Sequence, residues 1–291
     1  MITAQQAVMH DPFKITGPTC LSFSGGRTSA YMLWMVLQAN TPEDIARWLA
    51  VCFANTGKEE EATLRFVAEC ARRWGVRIVW LEYLSKRAEP HFVLVDFESA
   101  SRIGEPLLRA FSEHNVLPNP VARYCTAETK IRTIRRYLEA AHGWLADDFE
   151  MWLGIRADEP RRAAKLSTST DARDGIRVAP LARAGVTAGM VGEFWRVQPF
   201  DLELPNNNGK TMHGNCDLCF LKPAAQVLAL IKEKPERAVW WAKAEEALTT
   251  NGKQSRFRND RPSYAQMAAF ARDQGDMFDP NEEGIACFCG D

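Results

Sequence analysis

The N-terminal part of the chain alternates between short apolar runs and amphipathic stretches, and this alternation constrains the fold more than any other feature. Apolar runs at residues 18–23, 48–54 and 76–83 predict buried strands, and apolar residues at helical spacing predict helices over 28–38 and 59–74. Strands that alternate with helices are typical of parallel sheets with crossover helices. The sequence therefore predicts an α/β fold with a doubly wound, mainly parallel sheet.

The rest of the chain extends this pattern and then departs from it. A basic helix is predicted over 124–140 and a further strand over 151–155, whereas the weak periodicity of residues 85–120 indicates an insertion or lid. The last part of the chain is mainly helical and contains cysteines. We expect an α/β domain over residues 1–205 and a helical, cysteine-bearing part over residues 206–291.

Composition narrows the classes of function. A chain of 291 residues that is 46% hydrophobic is able to bury a sizeable core, and its formal net charge of -1 gives no sign of a nucleic-acid or membrane partner. No apolar run is long enough to span a bilayer, and the first residues lack the pattern of a secretion signal. We expect a cytoplasmic protein with no membrane contact.

A Ser-Gly-Gly sequence follows the first predicted strand and precedes the first predicted helix. The free amides and the helix N-terminus at such a point favour an anion, although an ordinary strand–helix turn with a good N-cap would have the same sequence. Arg27 is expected either to contact an outer phosphate or to point to solvent. The candidate phosphate ligands in this glycine turn (residues 24–29) are Ser24, Gly25, Gly26, Arg27, Thr28 and Ser29.

Two further segments follow predicted strands, at the edge where such sheets bind ligands. Asn55, Thr56 and Gly57 come after the second strand. The segment "GIRADEPRR" places Arg156 and Arg162 after a later strand, and guanidinium groups bind phosphate or sulfate through paired hydrogen bonds. A solvated basic turn is the alternative interpretation of this segment.

The cysteines fall into two groups. Cys20, Cys52 and Cys70 lie in apolar runs and are predicted to be buried core residues. Cys216 and Cys219 form a C-x-x-C pair in a loop rich in Gly and Asn, a spacing that lets two thiolates meet one metal centre. An iron–sulfur cluster, a zinc ion and uninvolved reduced thiols are all compatible with this spacing.

Several motifs together resemble a known family. "SFSGGRTSA" resembles the PP-loop, Ser-Gly-Gly-x-Asp-Ser, of the adenine-nucleotide α-hydrolases, with Thr28 in place of the usual Asp. "ANTGKEEEATLRF", "YCTAETKIRTI", "GIRADEPRR" and "APLARAGVTAGMVGEFW" resemble successive segments of the phosphoadenosine phosphosulfate (PAPS) reductase family, in that family's order. The whole chain is similar to the PAPS-reductase-like proteins of bacteria and their phages.

The resemblance implies an adenine nucleotide, either ATP or a sulfonucleotide (APS or PAPS), bound at the glycine turn. It makes Arg156 and Arg162 candidate ligands of the phosphate or sulfate end of the nucleotide, with Lys130 as a weaker candidate. Because Thr28 replaces the usual carboxylate, a Mg²⁺ ion at this turn would lack that ligand.

The resemblance also implies a [4Fe-4S] cluster, with Zn²⁺ as the alternative metal. Sulfonucleotide reductases that contain a cluster have a Cys-Cys pair and a distant C-x-x-C; here Cys125 is followed by Thr126. The implied ligands are Cys125, Cys216, Cys219 and Cys287, which leaves Cys289 as the nucleophile. The reverse assignment of the two C-terminal cysteines is the alternative.

Three functions are compatible with these features. In the first, ATP adenylates a substrate oxygen and sulfur from a donor displaces AMP, which thiolates a nucleic acid or a small molecule; the complete Ser-Gly-Gly sequence favours it. In the second, the Cys289 thiolate reduces APS or PAPS and a thioredoxin-like reductant releases sulfite. The third is a non-catalytic nucleotide-binding protein with a structural metal site.

Overall fold

The computed structural model describes residues 11–167, 176–248 and 255–273. In these ranges six strands form one sheet: β1 (Thr19–Ser22), β2 (Leu49–Asn55), β3 (Ile78–Tyr83), β4 (Phe92–Val95), β5 (Glu150–Leu153) and β6 (Ile176–Val178). The strand order is β4-β3-β2-β1-β5-β6, and every neighbouring pair is parallel except β3 with β4. The predicted mainly parallel α/β fold is confirmed.

Helices connect and cover the strands. In the described ranges they are α1 (Arg27–Ala39), α2 (Pro42–Trp48), α3 (Glu61–Trp74), α4 (Glu105–His114), α5 (Tyr124–Thr126), α6 (Thr133–His142), α7 (Pro160–Ser167), α8 (Pro180–Arg183), α9 (Ala188–Arg196), α10 (Ala224–Glu233), α11 (Arg237–Ala247) and α12 (Tyr264–Asp273). A π-helical segment, Ala127–Arg132, joins α5 and α6 into one continuous helix. The described residues include no helix with the length and hydropathy needed to cross a membrane.

The topology determines where a ligand is expected. The chain runs outward from β1 to β2 and β3, and then returns so that β5 pairs with the other side of β1. Thr19 is therefore in register with Leu49 on one side and with Glu150 on the other. Open α/β sheets bind ligands at such a switch point, beyond the carboxyl ends of the strands. In this chain that position is the glycine turn, which follows β1.

The sheet is buried on both faces. On one face α1, α3 and α9 contribute apolar side chains such as Leu33, Val67 and Val191, and on the other α6 contributes Ile134 and Leu138. Strands covered on both faces are apolar along their whole length, which is why continuous apolar runs predicted them. The three cysteines predicted as core residues, Cys20, Cys52 and Cys70, are fully buried.

A second apolar cluster unites the helical part of the chain. It contains Leu218 and Trp241 from the C-terminal part, together with Leu107 and Phe111 of α4. The segment predicted as an insertion or lid therefore contributes an antiparallel edge strand, β4, and a helix that packs in this second cluster. Its periodicity is weak because β4 is a short edge strand whose Leu94 is exposed.

Candidate active site

The glycine turn is stabilised largely by its own residues. Gly25 has a φ of +79°, and a Cβ atom at that position would lie 2.5 Å from Cγ2 of Thr63. The hydroxyls of Ser24 and Ser29 are 2.9 Å apart, and the Ser29 hydroxyl also accepts a hydrogen bond from the Ser24 amide and donates one to the Gly26 carbonyl. The turn is thus preorganised at the N-terminus of α1, the geometry that stabilises a bound anion.

Arg27 is expected either to contact a phosphate or to point to solvent, and the structure shows that it does not point to solvent. Its Nε and Nη2 atoms each lie 2.7 Å from a carboxylate oxygen of Asp201, and Nη2 also donates to the Leu204 carbonyl. The side chain is buried. Because a phosphate would have to compete with Asp201 for this guanidinium, we do not propose Arg27 as a phosphate ligand.

Arg156 connects the glycine turn to the end of β5. Its Nη1 donates to Oγ1 of Thr28 at 2.9 Å, its Nε donates to Asp158 at 3.0 Å, and only 2% of the residue is exposed. Burial alone would raise the pKa of Asp158, but the Arg156 charge and hydrogen bonds outweigh burial and lower it. A solvated basic turn, the alternative interpretation, is therefore wrong for Arg156.

Arg162 is buried beside Glu159, a carboxylate that also lies near Arg156. Its Nη1 pairs with Glu159, whose other oxygen accepts the Arg156 amide hydrogen at 3.0 Å. Within the described ranges, Nε and Nη2 of Arg162 have no hydrogen-bond partner, although the residue is 7% exposed. Unpaired buried donors are costly, and an oxyanion would satisfy them.

The end of β2 forms a second tight turn at the same edge. The Asn55 side chain is buried, donates to Glu82 at 2.6 Å and accepts a hydrogen bond from the Gly57 amide at 3.0 Å. Gly57 has a φ of +76°, and a Cβ there would lie 2.8 Å from the Gly104 nitrogen. Asn55 and Gly57 therefore shape the turn, which positions Thr56 toward the cysteines.

Thr56 brings Cys216 to this edge. Its Oγ1 lies 3.4 Å from Sγ of Cys216 and also bonds to Glu59, whose Oε1 is 3.8 Å from Nζ of Lys130. Burial raises the pKa of the Cys216 thiol, the Glu59 carboxylate raises it further, and the Lys130 ammonium opposes both. Because a metal binds the thiolate, metal binding at Cys216 would have to displace the thiol proton.

Cysteine thiolates are suitable ligands for an iron–sulfur cluster or a zinc ion, but the described residues do not form a complete metal site. Cys125 on α5 packs against the same apolar cluster as Cys216 and Cys219. Across residues 11–167, 176–248 and 255–273, however, no three potential ligands are grouped closely enough to hold a metal ion. Cys287 and Cys289 lie outside the described residues. The four-cysteine site therefore stays a prediction.

The cysteine loop (residues 206–219) covers the glycine turn. The two segments enclose a cavity of about 20 Å³, lined by Ser24, Gly25 and Gly26 on one side and by Gly209, Gly214 and Asn215 on the other. Ligand pockets commonly measure about 300–1,000 Å³. The cavity as described is therefore smaller than a nucleotide needs.

Polar contacts missed by the sequence reasoning hold the cysteine loop in place. The Asp217 carboxylate lies 3.0 Å from Nζ of Lys58 and accepts a hydrogen bond from Nε1 of Trp241 at 2.8 Å, while the Asp217 amide donates to the Lys58 carbonyl. Both charged side chains are almost fully buried. Asp217 lies between the two cysteines of the C-x-x-C pair. In the sequence, only this position could have indicated that Asp217 anchors the loop.

Comparisons with known proteins agree with this architecture. Residues 18–196 match the phosphoadenosine phosphosulfate reductase domain family. The chain is 26% identical over 220 residues to the uncharacterized nin region protein ORF290 of Escherichia phage lambda, covering 74% of this chain and 69% of that protein. It is 24% identical over 240 residues to the uncharacterized protein MJ0066 of Methanocaldococcus jannaschii, covering 81% of this chain and 42% of that protein.

The chain is remotely similar to a solved structure, the U34-tRNA thiolase NcsA from Methanococcus maripaludis with its [4Fe-4S] cluster, at 12% sequence identity and a TM-score of 0.38. The match covers 92% of this chain and 84% of that one. A likeness of this size carries no argument about the site.

Proposed function

Because the chain belongs to the phosphoadenosine phosphosulfate reductase domain family, we propose that it is an enzyme that binds an adenine nucleotide at the glycine turn. The reaction we propose is ATP-dependent adenylation coupled to sulfur transfer. One observation carries this proposal: the glycine turn and a sulfur-bearing loop meet at the same sheet edge. Gly214 and Asn215 line the cavity against the turn, and the next residue, Cys216, contacts Thr56.

The proposed nucleotide site uses backbone and guanidinium groups. The N-terminus of α1 and the Ser24 and Ser29 hydroxyls would bind the phosphates, and Arg156 and Arg162 would supply positive charge. Arg162 supports this role because its two unpaired nitrogen atoms in the described structure are available to an oxyanion. Preorganised charge of this kind stabilises the negative charge that develops on phosphate oxygens during the reaction.

The chemistry has two displacement steps. A substrate oxygen attacks the α-phosphorus of ATP, the bond to the β-phosphate oxygen breaks, and pyrophosphate leaves with its negative charge. Sulfide then bonds to the carbon that bears the adenylated oxygen, and the carbon–oxygen bond breaks to release AMP. The chain's own contribution is to hold the phosphates, exclude water under the cysteine loop and place the acceptor near that loop.

A [4Fe-4S] cluster held by Cys125, Cys216, Cys219 and Cys287 is part of the proposal, with Zn²⁺ as the alternative. A cluster held by Cys125, Cys216 and Cys219 alone would instead leave one iron open as a binding position for sulfur. Neither displacement step passes through a metal. The Ser-Gly-Gly turn and the cysteine pair are therefore tested separately.

The metal proposal is tested by iron, zinc and sulfide analysis of protein purified without oxygen. We expect about four irons and four sulfides per chain and a brown colour. Cys216→Ser and Cys219→Ser should each lose most of the iron, whereas Cys70→Ala, which changes a thiol in the sheet core, should keep it. Full iron content in both loop variants would contradict the proposed cluster. One zinc ion per chain in a colourless protein would favour the zinc site instead of the cluster.

The nucleotide proposal is tested by titrating the purified protein with ATP, APS and PAPS in a calorimeter. We expect ATP to bind most tightly and Ser24→Ala to weaken it roughly tenfold, because one hydrogen bond contributes about 1 kcal/mol and a bond to a charged group more. Ser99→Ala is the control, since Ser99 forms a similar local turn with Asp96 away from the site. Failure of all three nucleotides to bind would contradict the proposal.

Sulfonucleotide reduction is the second candidate, and the unpaired guanidinium atoms of Arg162 are the observation that favours it. In this reaction a cysteine thiolate, predicted to be Cys289, attacks the sulfur of APS or PAPS, and the sulfur–oxygen bond to the nucleotide breaks. A dithiol reductant then cleaves the resulting S–S bond, releases sulfite and becomes a disulfide. Binding of APS or PAPS without ATP, followed by sulfite release with a dithiol, would establish this candidate in place of the first.

A further inference from the structure

A second, much larger cavity lies beside the continuous helix formed by α5, the π-helical segment and α6. Its volume is about 550 Å³, within the range of ligand pockets. Its lining includes four cationic side chains and two carboxylates: Lys86, Arg132, Arg135, Arg136, Glu128 and Glu139. This cavity is separate from the glycine turn, and none of its lining residues belongs to the nucleotide site proposed above.

The positive charge of this cavity is only partly neutralised by protein groups. Arg132 pairs with Glu128, and Arg136 lies 3.7 Å from Glu139. Arg135 projects from the helix between these two pairs, and in the described part of the chain its guanidinium has neither an ion pair nor a hydrogen bond. The cavity therefore has an excess of positive charge and a guanidinium available to an anion, a combination that suits phosphate groups.

The position of the cavity on the helix relates it to the candidate active site. Lys130, which lies near Glu59 and Cys216, precedes Arg135 by five residues, or roughly 7 Å along a helix axis. The half-buried Trp144 ring also lines the cavity and stacks on the His142 ring, with 4.6 Å between the ring centroids. Grooves that bind single strands combine positive charge along the backbone path with aromatic rings that stack on bases.

We propose that this cavity binds the phosphodiester backbone of a single-stranded nucleic acid and presents that strand to the candidate active site as the sulfur acceptor. The acceptor role rests on the proposed function, whereas the binding itself does not. Free nucleotides carry the same phosphate chemistry, so the experiment has to distinguish a strand from a mononucleotide.

The experiment measures fluorescence anisotropy of labelled single-stranded RNA and DNA against the full chain at several salt concentrations, with strands longer than the roughly 4–16 nucleotides that single-strand binding folds cover. We expect salt-dependent binding that excess AMP or inorganic phosphate does not abolish. The double variant R135A/R136A should bind several-fold more weakly, and its log–log salt slope should fall by about 0.7 for each phosphate that the removed guanidinium groups neutralise.

Arg196→Ala is the matched control, because Arg196 is exposed and pairs with Glu193 at the same helical spacing as Arg136 with Glu139. Equal weakening in this control, absence of strand binding, or full displacement of the strand by AMP would each overturn the inference. ATP titrated into the same proteins separates the two proposals. Strand binding without ATP binding would contradict the proposed function alone, and ATP binding without strand binding would contradict this inference alone.

Discussion

The glycine turn and the cysteine loop meet at one sheet edge, yet they are held in place in different ways. Around Ser24 the stabilising hydrogen bonds join residues close in sequence, such as Ser24 with Ser29, and within the described ranges the long-range bonds of the turn are confined to Arg27 and Thr28 at the start of α1. In the cysteine loop they join distant segments: Cys216 contacts Thr56, and Asp217 binds Lys58. A locally stabilised turn keeps its shape as long as β1 and α1 exist, whereas the loop depends on the packing of separate parts of the chain.

The largest expected effect comes from Asp217→Ala, which tests whether one carboxylate anchors the cysteine loop. The substitution leaves the buried Lys58 charge and the Trp241 indole without their partner. Breaking a buried pair in this way costs about 3–5 kcal/mol, so we expect a decrease of that size in the free energy of unfolding measured with urea.

Asp44→Ala is the control for this prediction, because Asp44 pairs with Lys14 on the surface, where both side chains are more than a third exposed. It should change the free energy of unfolding little. Comparable decreases in both variants would mean that Asp217 is not a specific anchor and would weaken the distinction between the two regions.

Gly209→Ala tests the close packing of the cysteine loop on α9 and should have an intermediate effect. Gly209 has a φ of +82°, and an added Cβ would lie 2.1 Å from the Ala188 carbonyl oxygen. Backbone strain and overpacking together should destabilise the protein by about 3 kcal/mol and increase hydrogen exchange at the amides of the glycine turn.

Gly185→Ala is the control that separates the cost of backbone strain from the cost of the steric contact with Ala188. Gly185 has a similar φ of +71° but no neighbouring atom within 4 Å of an added Cβ, so its cost should be only the left-handed conformation, about 1 kcal/mol. Equal costs at the two positions would show that the contact with α9 contributes nothing.

The same difference explains which features could be predicted from the sequence. The strand that contains Cys20, the Gly-Gly turn after it and the helix that follows could all be predicted from local sequence patterns. The strand that contains Cys52 could be predicted in the same way. The ion pair between Arg27 and Asp201 could not be predicted, because the two residues are 174 positions apart and no spacing rule relates them. The antiparallel pairing of β4 was missed for the same reason: register is set by partners that a linear pattern does not identify.

The stability of the sheet edge and that of the helical part are expected to respond to pH in opposite directions. At the sheet edge, burial would raise the pKa of Asp158, but Arg156 and hydrogen bonds lower it below the ordinary value of 3.8. In the helical part, burial raises the pKa of Glu245 above the ordinary value of 4.5, although Glu245 accepts hydrogen bonds from the amides of Tyr264 and Phe257.

The sign of each contribution follows from linkage. A lowered pKa in the folded state gives stability that is present above pH 3.8 and is lost as the pH falls through the folded value of Asp158. A raised pKa gives stability that is complete below pH 4.5 and is lost as the pH rises through the folded value of Glu245. Mild acid should therefore stabilise the helical part first, and stronger acid should then destabilise the sheet edge.

Urea unfolding at a series of pH values from about 3 to about 7 measures both contributions. Glu245→Gln should remove the decrease in stability above pH 4.5, because glutamine does not ionise, and should leave the acid limb unchanged. Asp158→Asn should do the reverse and reduce the slope of the curve below pH 3.8, where other carboxyls with a lowered pKa, such as Glu69 and Asp260, still contribute. If either variant changed both limbs, the two carboxylates would belong to one cooperative network, and the sheet edge and the helical part would not be independently stabilised.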